Sequence, residues 1–243
     1  MTAMCTLIAL HQVVSGYPLV VGMNRDEFRN RPAAPWSPVS GNPKIVAPRD
    51  AKAGGTWIGV NEHGLVVALS NRRGRDSTTA RSRGVLVVEA LGRNRPASVD
   101  LLVRSEVEAH EYNFFHLFAA NGEEMRCWRY DGAVNVRRGV PGLNVLTNQG
   151  LNEEGDTKVL AVRRMVRPSD TGDLGSALKS LQAALRYRGT DVEVCNHGAM
   201  AGTVSSSILA VHSDDPRENA LLFSDGLPCQ APFRDLSSLL RAP

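Results

Sequence analysis

Cys5 stands directly after Met4 and opens the apolar run TLIAL. A thiol in that place is either a small buried side chain near a chain end or the first residue of a mature chain. The second role is chemical. An α-amine titrates at about 7.7–8.0 and a thiol at about 8.5 in model peptides. At neutral pH the two share one proton, and the amine serves as the base of its own nucleophile. The segment GMNRDEF places Asn24, Arg25, Asp26 and Glu27 at the end of a second apolar run, LVVG. Strand alternation puts Asn24 and Asp26 on one face and Arg25 on the other. If the two runs form a hairpin, Asn24 or Asp26 lies beside Cys5, where a carboxylate can hold a nearby ammonium. The plainer reading is an ordinary polar strand end.

Asn71 closes the run VVALSN, and Asn148 follows VLT at the end of another strand-like run. Asparagine is a turn residue; its amide is also a donor suited to a developing oxyanion. Cys195 and His197 stand two apart in EVCNHGAM, which allows a Cys–His nucleophile pair or two packed or surface residues. The segment RRGRDSTTARSR carries Arg72, Arg73, Arg75, Arg81 and Arg83. It is a solvated loop, or a clamp for a phosphate or carboxylate on a ligand. The Gly-rich GGTWIGVNEHG lacks the lysine of a phosphate-binding loop, and no GxGxxG occurs, so no nucleotide fold follows.

Strands are needed to present these residues. CTLIALHQ and YPLVVGMN read as a hairpin joined by VVSG, and GGTWIGVNEHGLVVALSN as a second hairpin turning at NEHG. VLVVEALGR and ASVDLLVRSEV follow as helices, the second capped by Ser98. NFFHLFAANGEEMRCWRYDGAVNVRRG reads as a three-strand meander with turns at NGEE and YDGA. DTKVLAVRRMVR and GDLGSALKSLQAALRYR have amphipathic helical spacing. TVSSSILAVHS and NALLFSDG form a last hairpin, with a helical turn at RDLSSLL. Antiparallel strand blocks alternate with helix pairs, and no βαβ rhythm appears. The expectation is an α+β chain, residues 1–243 as one domain, with two antiparallel sheets face to face and helices outside.

The bulk numbers exclude several classes. The 243 residues are 42% hydrophobic and 22% charged, with a net charge of +3. That charge does not by itself imply a nucleic-acid partner. No apolar run approaches the roughly 20 residues of a membrane span, and no basic segment precedes TLIAL as in a signal peptide. Cys5, Cys127, Cys195 and Cys229 are scattered, without CxxC or metal-like spacing. Free thiols, a cytoplasmic location and no bound metal are therefore expected. No c-type haem attachment motif is present.

Taken in order, NRDEF followed by RP, then GGTWIGVNEHGLVVALSN, then LTN, then GTVSS resembles the NRDE-motif family, also called the transport-and-Golgi-organisation 2 family. The resemblance runs from Cys5 to about SDGLP. That family is similar to the N-terminal-nucleophile hydrolases, and within them to the choloylglycine hydrolase and penicillin V acylase group. The resemblance implies a four-layer αββα sandwich. It implies Cys5 as nucleophile, Asp26 orienting the Cys5 amine, and Asn71 and Asn148 at oxyanion-hole or amine-binding positions. Asn24, Arg25, Trp57 and Thr203 are the binding candidates in the same motifs. The match departs at two places: the acylases carry Arg where this chain has Met23, and many family members read GTRSS where this chain has Val204. The family usually begins Met-Cys. A start at Met4 would free Cys5 by ordinary methionine removal, whereas a start at Met1 requires a further cleavage.

Two functions follow as expectations. One is a cysteine hydrolase of small amide-like, non-peptide C–N bonds or thioester bonds, needing no cofactor. The other is a non-catalytic carrier, because the family has been tied to secretory-pathway organisation, to haem handling and to acyl-lipid or acyl-CoA metabolism. For haem, His11, His197 and Cys5 are the candidate ligands; for CoA, the arginines of the loop. A nucleic-acid binder rests on arginine content alone.

Overall fold

The computed structural model of the chain describes residues 5–241. The chain forms β1 (Thr6–Val14), β2 (Tyr17–Phe28), β3 (Ala33–Val39), β4 (Ile45–Asp50), β5 (Ile58–Asn61) and β6 (Val66–Asn71), then α1 (Arg83–Leu91) and α2 (Pro96–Ala109). There follow β7 (Phe115–Ala120), β8 (Met125–Tyr130), β9 (Val134–Arg138) and β10 (Gly142–Leu146), then α3 (Thr157–Met165) and α4 (Leu174–Arg186). β11 (Ala201–Val211), β12 (Ala220–Asp225) and the short β13 (Arg234–Asp235) close the chain. It divides into two compact units, one of residues up to Arg29 and from Val140 onward, the other Asn30–Gly139.

In the first unit a six-stranded sheet runs in the order β10-β1-β2-β11-β12-β13. Its described pairings are antiparallel. Ile8 and Leu10 on β1, Val20 on β2, and Ile208 and Ala210 on β11 recur at period two and share one cluster with Val159 and Val162 of α3 and Leu181 and Leu185 of α4. Gly22 continues that face. A Cβ there would lie 3.0 Å from Leu185 Cδ1, so the missing side chain lets α4 approach β2 closely. The next residue on the face is Asn24, whose Nδ2 donates to Leu185 O and Val194 O, both at 2.9 Å. One buried amide thus ties the end of α4, and the loop after it, to β2.

The second unit is a seven-stranded antiparallel sheet in strict chain order, β3 to β9. Leu65, Val67 and Leu69, Phe115, Leu117 and Ala119, and Trp128 and Tyr130 pack with Leu86, Leu91, Val99 and Val103 of α1 and α2. Short turns such as NEHG, NGEE and YDGA leave no length for a crossover between the strands they join, and β6 and β7 pair directly although α1 and α2 lie between them in the chain.

The expected hairpins, meander and four helices all form. Two local readings are corrected. Ser98 does not cap α2. The helix starts at Pro96 with Arg95 at the cap, and the Ser98 hydroxyl donates back to Arg95 O at 2.7 Å. Proline fits the first helical position because no backbone donor is required there. The hairpin of β3 and β4 was not anticipated, because Pro35 and Pro38 interrupt its first strand. β3 lies at a sheet edge, where proline removes no ladder bond that matters. No helix among the described residues is long and apolar enough to cross a membrane.

Candidate active site

Cys5 leads into β1, the second strand of the six-stranded sheet, flanked by β2 on one side and the edge strand β10 on the other. The register pairs Thr6 with Asn24, so one step further along the ladder lie Cys5 and Arg25. On the other side Leu7 pairs with Leu146. Asn148 stands two residues beyond Leu146 as Cys5 stands two before Leu7, so both reach the same edge of the sheet. Across β2, Asp26 pairs with Thr203 of β11, and Arg25 pairs with Ser205. Val204 is therefore the extra residue of a bulge, a device that re-aims side chains at strand ends. Val204 O accepts from Gly226 N at 2.9 Å, fixing the bulge to the turn after β12.

Alternation separates two faces. Thr6, Asn24 and Asp26 share the face that carries α3 and α4; Cys5, Arg25 and Ser205 share the other. The carboxylate of Asp26 is almost fully buried, at 1% exposure. Its Oδ1 accepts from Thr203 Oγ1 at 2.7 Å, its Oδ2 from Asn196 Nδ2 at 3.5 Å, and Lys158 Nζ lies 3.9 Å from Oδ2. The Lys158 ammonium also donates to Thr6 Oγ1 at 3.2 Å. Lys158 is held by its place in the first turn of α3, where Asp156 caps the helix by accepting from Lys158 N at 2.8 Å and also accepts from Thr147 Oγ1. The loop of Asn148 and the helix of Lys158 are thereby joined.

On the opposite face, the Cys5 thiol meets Asp26 through its backbone, with Sγ 3.8 Å from Asp26 O. Burial, then the Asp26 charge, push the Cys5 thiol up to about 12, against smaller lowering effects of the Asp26 carbonyl contact and Arg25. The Ser205 hydroxyl, on the same face, is buried with no hydrogen-bond partner among the described residues. Burial also pushes Asp26 up to about 6, with the Lys158 charge and the Thr203 and Asn196 hydrogen bonds pulling the other way.

Because Lys158 is the largest influence lowering Asp26, Lys158→Met is expected to move the Asp26 titration to higher pH. Carboxylate-carbon NMR across a pH series reads this directly; an unmoved midpoint would refute the pairing.

The sequence candidates divide cleanly. Cys5, Arg25, Asp26, Thr203 and Asn148 gather at one sheet edge. Asn24 points at α4 and serves as a clamp. Asn71, at the end of β6, and Trp57, just before β5, belong to the second unit. Lys158 and Asn196, which contact Asp26, and Ser205, which pairs with Arg25, lie around these residues and were not singled out by reading the sequence. Lys158 and Asn196 lie 132 and 170 residues from Asp26 in the chain, with no motif linking them. The loop arginines are engaged within their own unit: Arg72 with Asp131, Arg75 with Glu111, and Arg81 with Glu89 and Glu106. His11 lies six residues along β1 from Cys5, roughly 20 Å at strand rise, too far to share one iron with it. The four cysteines are free thiols.

The fold places the chain among known architectures. It superposes on a Caenorhabditis elegans ortholog of N-acylethanolamine-hydrolyzing acid amidase with a TM-score of 0.62, at 14% identity, covering 93% of this chain and 97% of that one. A variant of conjugated bile acid hydrolase from Clostridium perfringens gives 0.61 at 13% identity, covering 96% and 93%. Penicillin V acylase from Agrobacterium tumefaciens gives 0.55 at 11% identity, covering 97% and 87%. This is the N-terminal-nucleophile hydrolase fold, the α+β sandwich class expected from the sequence. At such identities the likeness is one of fold. The family model for Transport and Golgi organisation 2 matches residues 4–173, and the chain belongs to that family. It is 37% identical over 111 residues to the Transport and Golgi organization 2 homolog of Mus musculus, and 35% identical over 111 residues to that of Homo sapiens. Each match covers 44% of this chain and 40% of the relative, so the aligned stretch spans less than half of the curated relatives' length.

Proposed function

We propose that this protein is a cysteine hydrolase of small amide-like C–N or thioester bonds, with Cys5 as nucleophile once its α-amine is free. The observation that carries the reading is the convergence of Cys5, Asp26, Thr203, Lys158 and Asn148 at one edge of a single sheet. The names of the structural neighbours specify an N-acylethanolamine, a conjugated bile acid and penicillin V. All three carry an amide C–N bond.

The roles follow from position. The α-amine of a chain starting at Cys5 is a backbone group near the sheet plane, reachable from the Asp26 face as well as the thiol face. Asp26, held by Thr203 and Asn196, orients the ammonium. The amine takes the thiol proton as the sulfur attacks the carbonyl carbon. The Asn148 amide and backbone N–H groups stabilise the oxyanion, where one donor is worth about 10²–10³ in rate. The proton passes to the leaving amine, or to the leaving thiolate of a thioester. The α-amine then takes a proton from water as its oxygen attacks the acyl carbon, the bond to Cys5 Sγ breaks to release the acid, and the proton returns to the sulfur.

A second reading has its own support. In the chain with Met4 in place, Cys5 is 6% exposed and its thiol is pushed up to about 12. A thiol held neutral is not a nucleophile. Met23 and Val204 moreover supply no guanidinium where the acylases and many family members have one. In that form the protein is a carrier of a small acyl or haem-like ligand.

Intact mass and N-terminal sequencing of protein expressed from its native start, with an N-acylethanolamide hydrolysis assay on the same sample, separate the two. A chain beginning at Cys5 that turns over the probe is expected. A chain retaining Met1, or beginning at Thr2, that shows no turnover would overturn the hydrolase reading in favour of the carrier.

A further inference from the structure

Cys195, His197 and Cys229 come together although 34 residues separate the two cysteines. Cys195 Sγ lies 3.2 Å from Cys229 Sγ, and His197 Nε2 lies 3.0 Å from Cys229 Sγ. The three ligating atoms all fall within 4.8 Å of one another. Cys195 is buried, His197 half-buried and Cys229 exposed, so the cluster is anchored inside and open to solvent on one side.

The two segments that bring them together are fixed independently of the cluster. Residues 187–195 fold back on the end of α4, where Tyr187 O accepts from both Val194 N and Cys195 N. Glu193 accepts from Arg188 Nε at 2.6 Å and from His197 N at 3.2 Å, which sets the approach of the imidazole. The turn that carries Cys229 is tied to the same helix end by Arg186 Nε donating to Pro228 O at 3.0 Å. The ligands are thus presented by preformed backbone.

From this geometry we infer that Cys195, His197 and Cys229 form a binding site for a soft or borderline d¹⁰ cation of the Zn²⁺ class, with a fourth position open to solvent. Two thiolates and an imidazole are a set such ions prefer over the hard oxygen donors that suit Mg²⁺ or Ca²⁺. Tetrahedral bonds of about 2.3 Å to sulfur and about 2.0–2.1 Å to nitrogen place ligand atoms roughly 3.6–3.8 Å apart. The two contacts of Cys229 Sγ therefore need to open by about half an ångström, and the third separation, which lies within 4.8 Å, needs to close by at most about 1 Å. Binding releases one proton from each thiol. Two thiolates then balance the charge of a divalent ion, which suits a half-buried position. Asn196 sits between the two loop ligands and holds Asp26, its backbone N also donating to Thr203 Oγ1 at 2.8 Å. Loading the ion accordingly fixes the segment that supports the Asp26 carboxylate.

The test is titration of the reduced, full-length protein with Co²⁺, followed by displacement with Zn²⁺. The expected result is one equivalent of Co²⁺ bound with intense tetrahedral d–d bands and sulfur-to-metal charge transfer, bleached by one equivalent of Zn²⁺. Cys229→Ser and His197→Ala should each weaken binding by more than the roughly 10–100-fold typical of losing an outer-shell partner. Cys5→Ala should keep the spectrum. Absence of charge transfer in the reduced protein overturns the proposal. So does a spectrum lost in Cys5→Ala and kept in Cys229→Ser, which would place the ion at the other thiol. A reduced protein that ignores Co²⁺ but loses two hydrogens in mass under mild peroxide would make the pair a disulfide instead, and would also overturn it.

Discussion

Replacing Cys5 by alanine is expected to abolish hydrolysis while leaving the fold in place. Removing the nucleophile of a covalent hydrolase costs about 10⁶-fold in turnover, because binding and the oxyanion donors alone supply the remainder. The structural cost is small by comparison. Cys5 sits at the start of β1, its thiol makes one weak contact with Asp26 O, and the flanking strands pair from Thr6 onward. A stability loss on the order of 1 kcal/mol is in line with such a truncation. Hydrolysis of an N-acylethanolamide and a urea unfolding curve on the same preparations give both numbers. Retention of wild-type turnover in Cys5→Ala would remove this thiol from the mechanism. Cys5→Ser is less decisive, since a serine hydroxyl beside an α-amine can serve the same role.

The second large effect is expected at Asp26. Burial raises its carboxyl from an ordinary 3.8 to about 6 in the folded protein. Between those values the folded chain holds a proton that the unfolded chain has released. The contribution of this group to stability is therefore full below about pH 4 and is lost as pH rises through about 6. At about 1.4 kcal/mol per pH unit, the difference reaches about 3 kcal/mol. Asp26→Asn keeps a side chain that can accept from Thr203 but cannot titrate. Its stability should stay level from pH 4 to 6 where the wild type declines. Turnover should fall in the same variant, because the group that holds the ammonium has lost its charge. Urea unfolding at a series of pH values checks the first part. Parallel wild-type and variant curves would mean that Asp26 titrates normally and that its burial is offset by Lys158, 3.9 Å away.

Much of the architecture was legible because hydrophobic period is a local property. Ile8, Leu10 and Val20 alternate within their own runs, and Leu181, Ala184 and Leu185 recur at helical spacing within theirs. The turns NEHG, NGEE and YDGA each announce themselves in four residues. β3 was missed for an equally local reason: two prolines speak against a strand unless the strand lies at an edge, and edge position is a property of the whole sheet. Within the site, Cys5, Arg25 and Asp26 were visible because adjacent strands of one hairpin must place them together. Their division onto two faces depends on register, which the pairing of Thr6 with Asn24 sets.

By itself the sequence determined most of the strands, the four helices, the α+β class, the family and the end of the sheet that carries Cys5, Arg25 and Asp26. Each of those rests on patterns a few residues long or on motifs in order. Only the tertiary structure decided that Lys158 and Asn196 reach Asp26, that Ser205 stands buried on the face of the thiol, and that Cys229 returns to Cys195 and His197. Those contacts join residues far apart in the chain, and nothing in local spacing records them. They exist because α3, the loop after α4 and the turn after β12 are packed and hydrogen-bonded into the same end of one sheet.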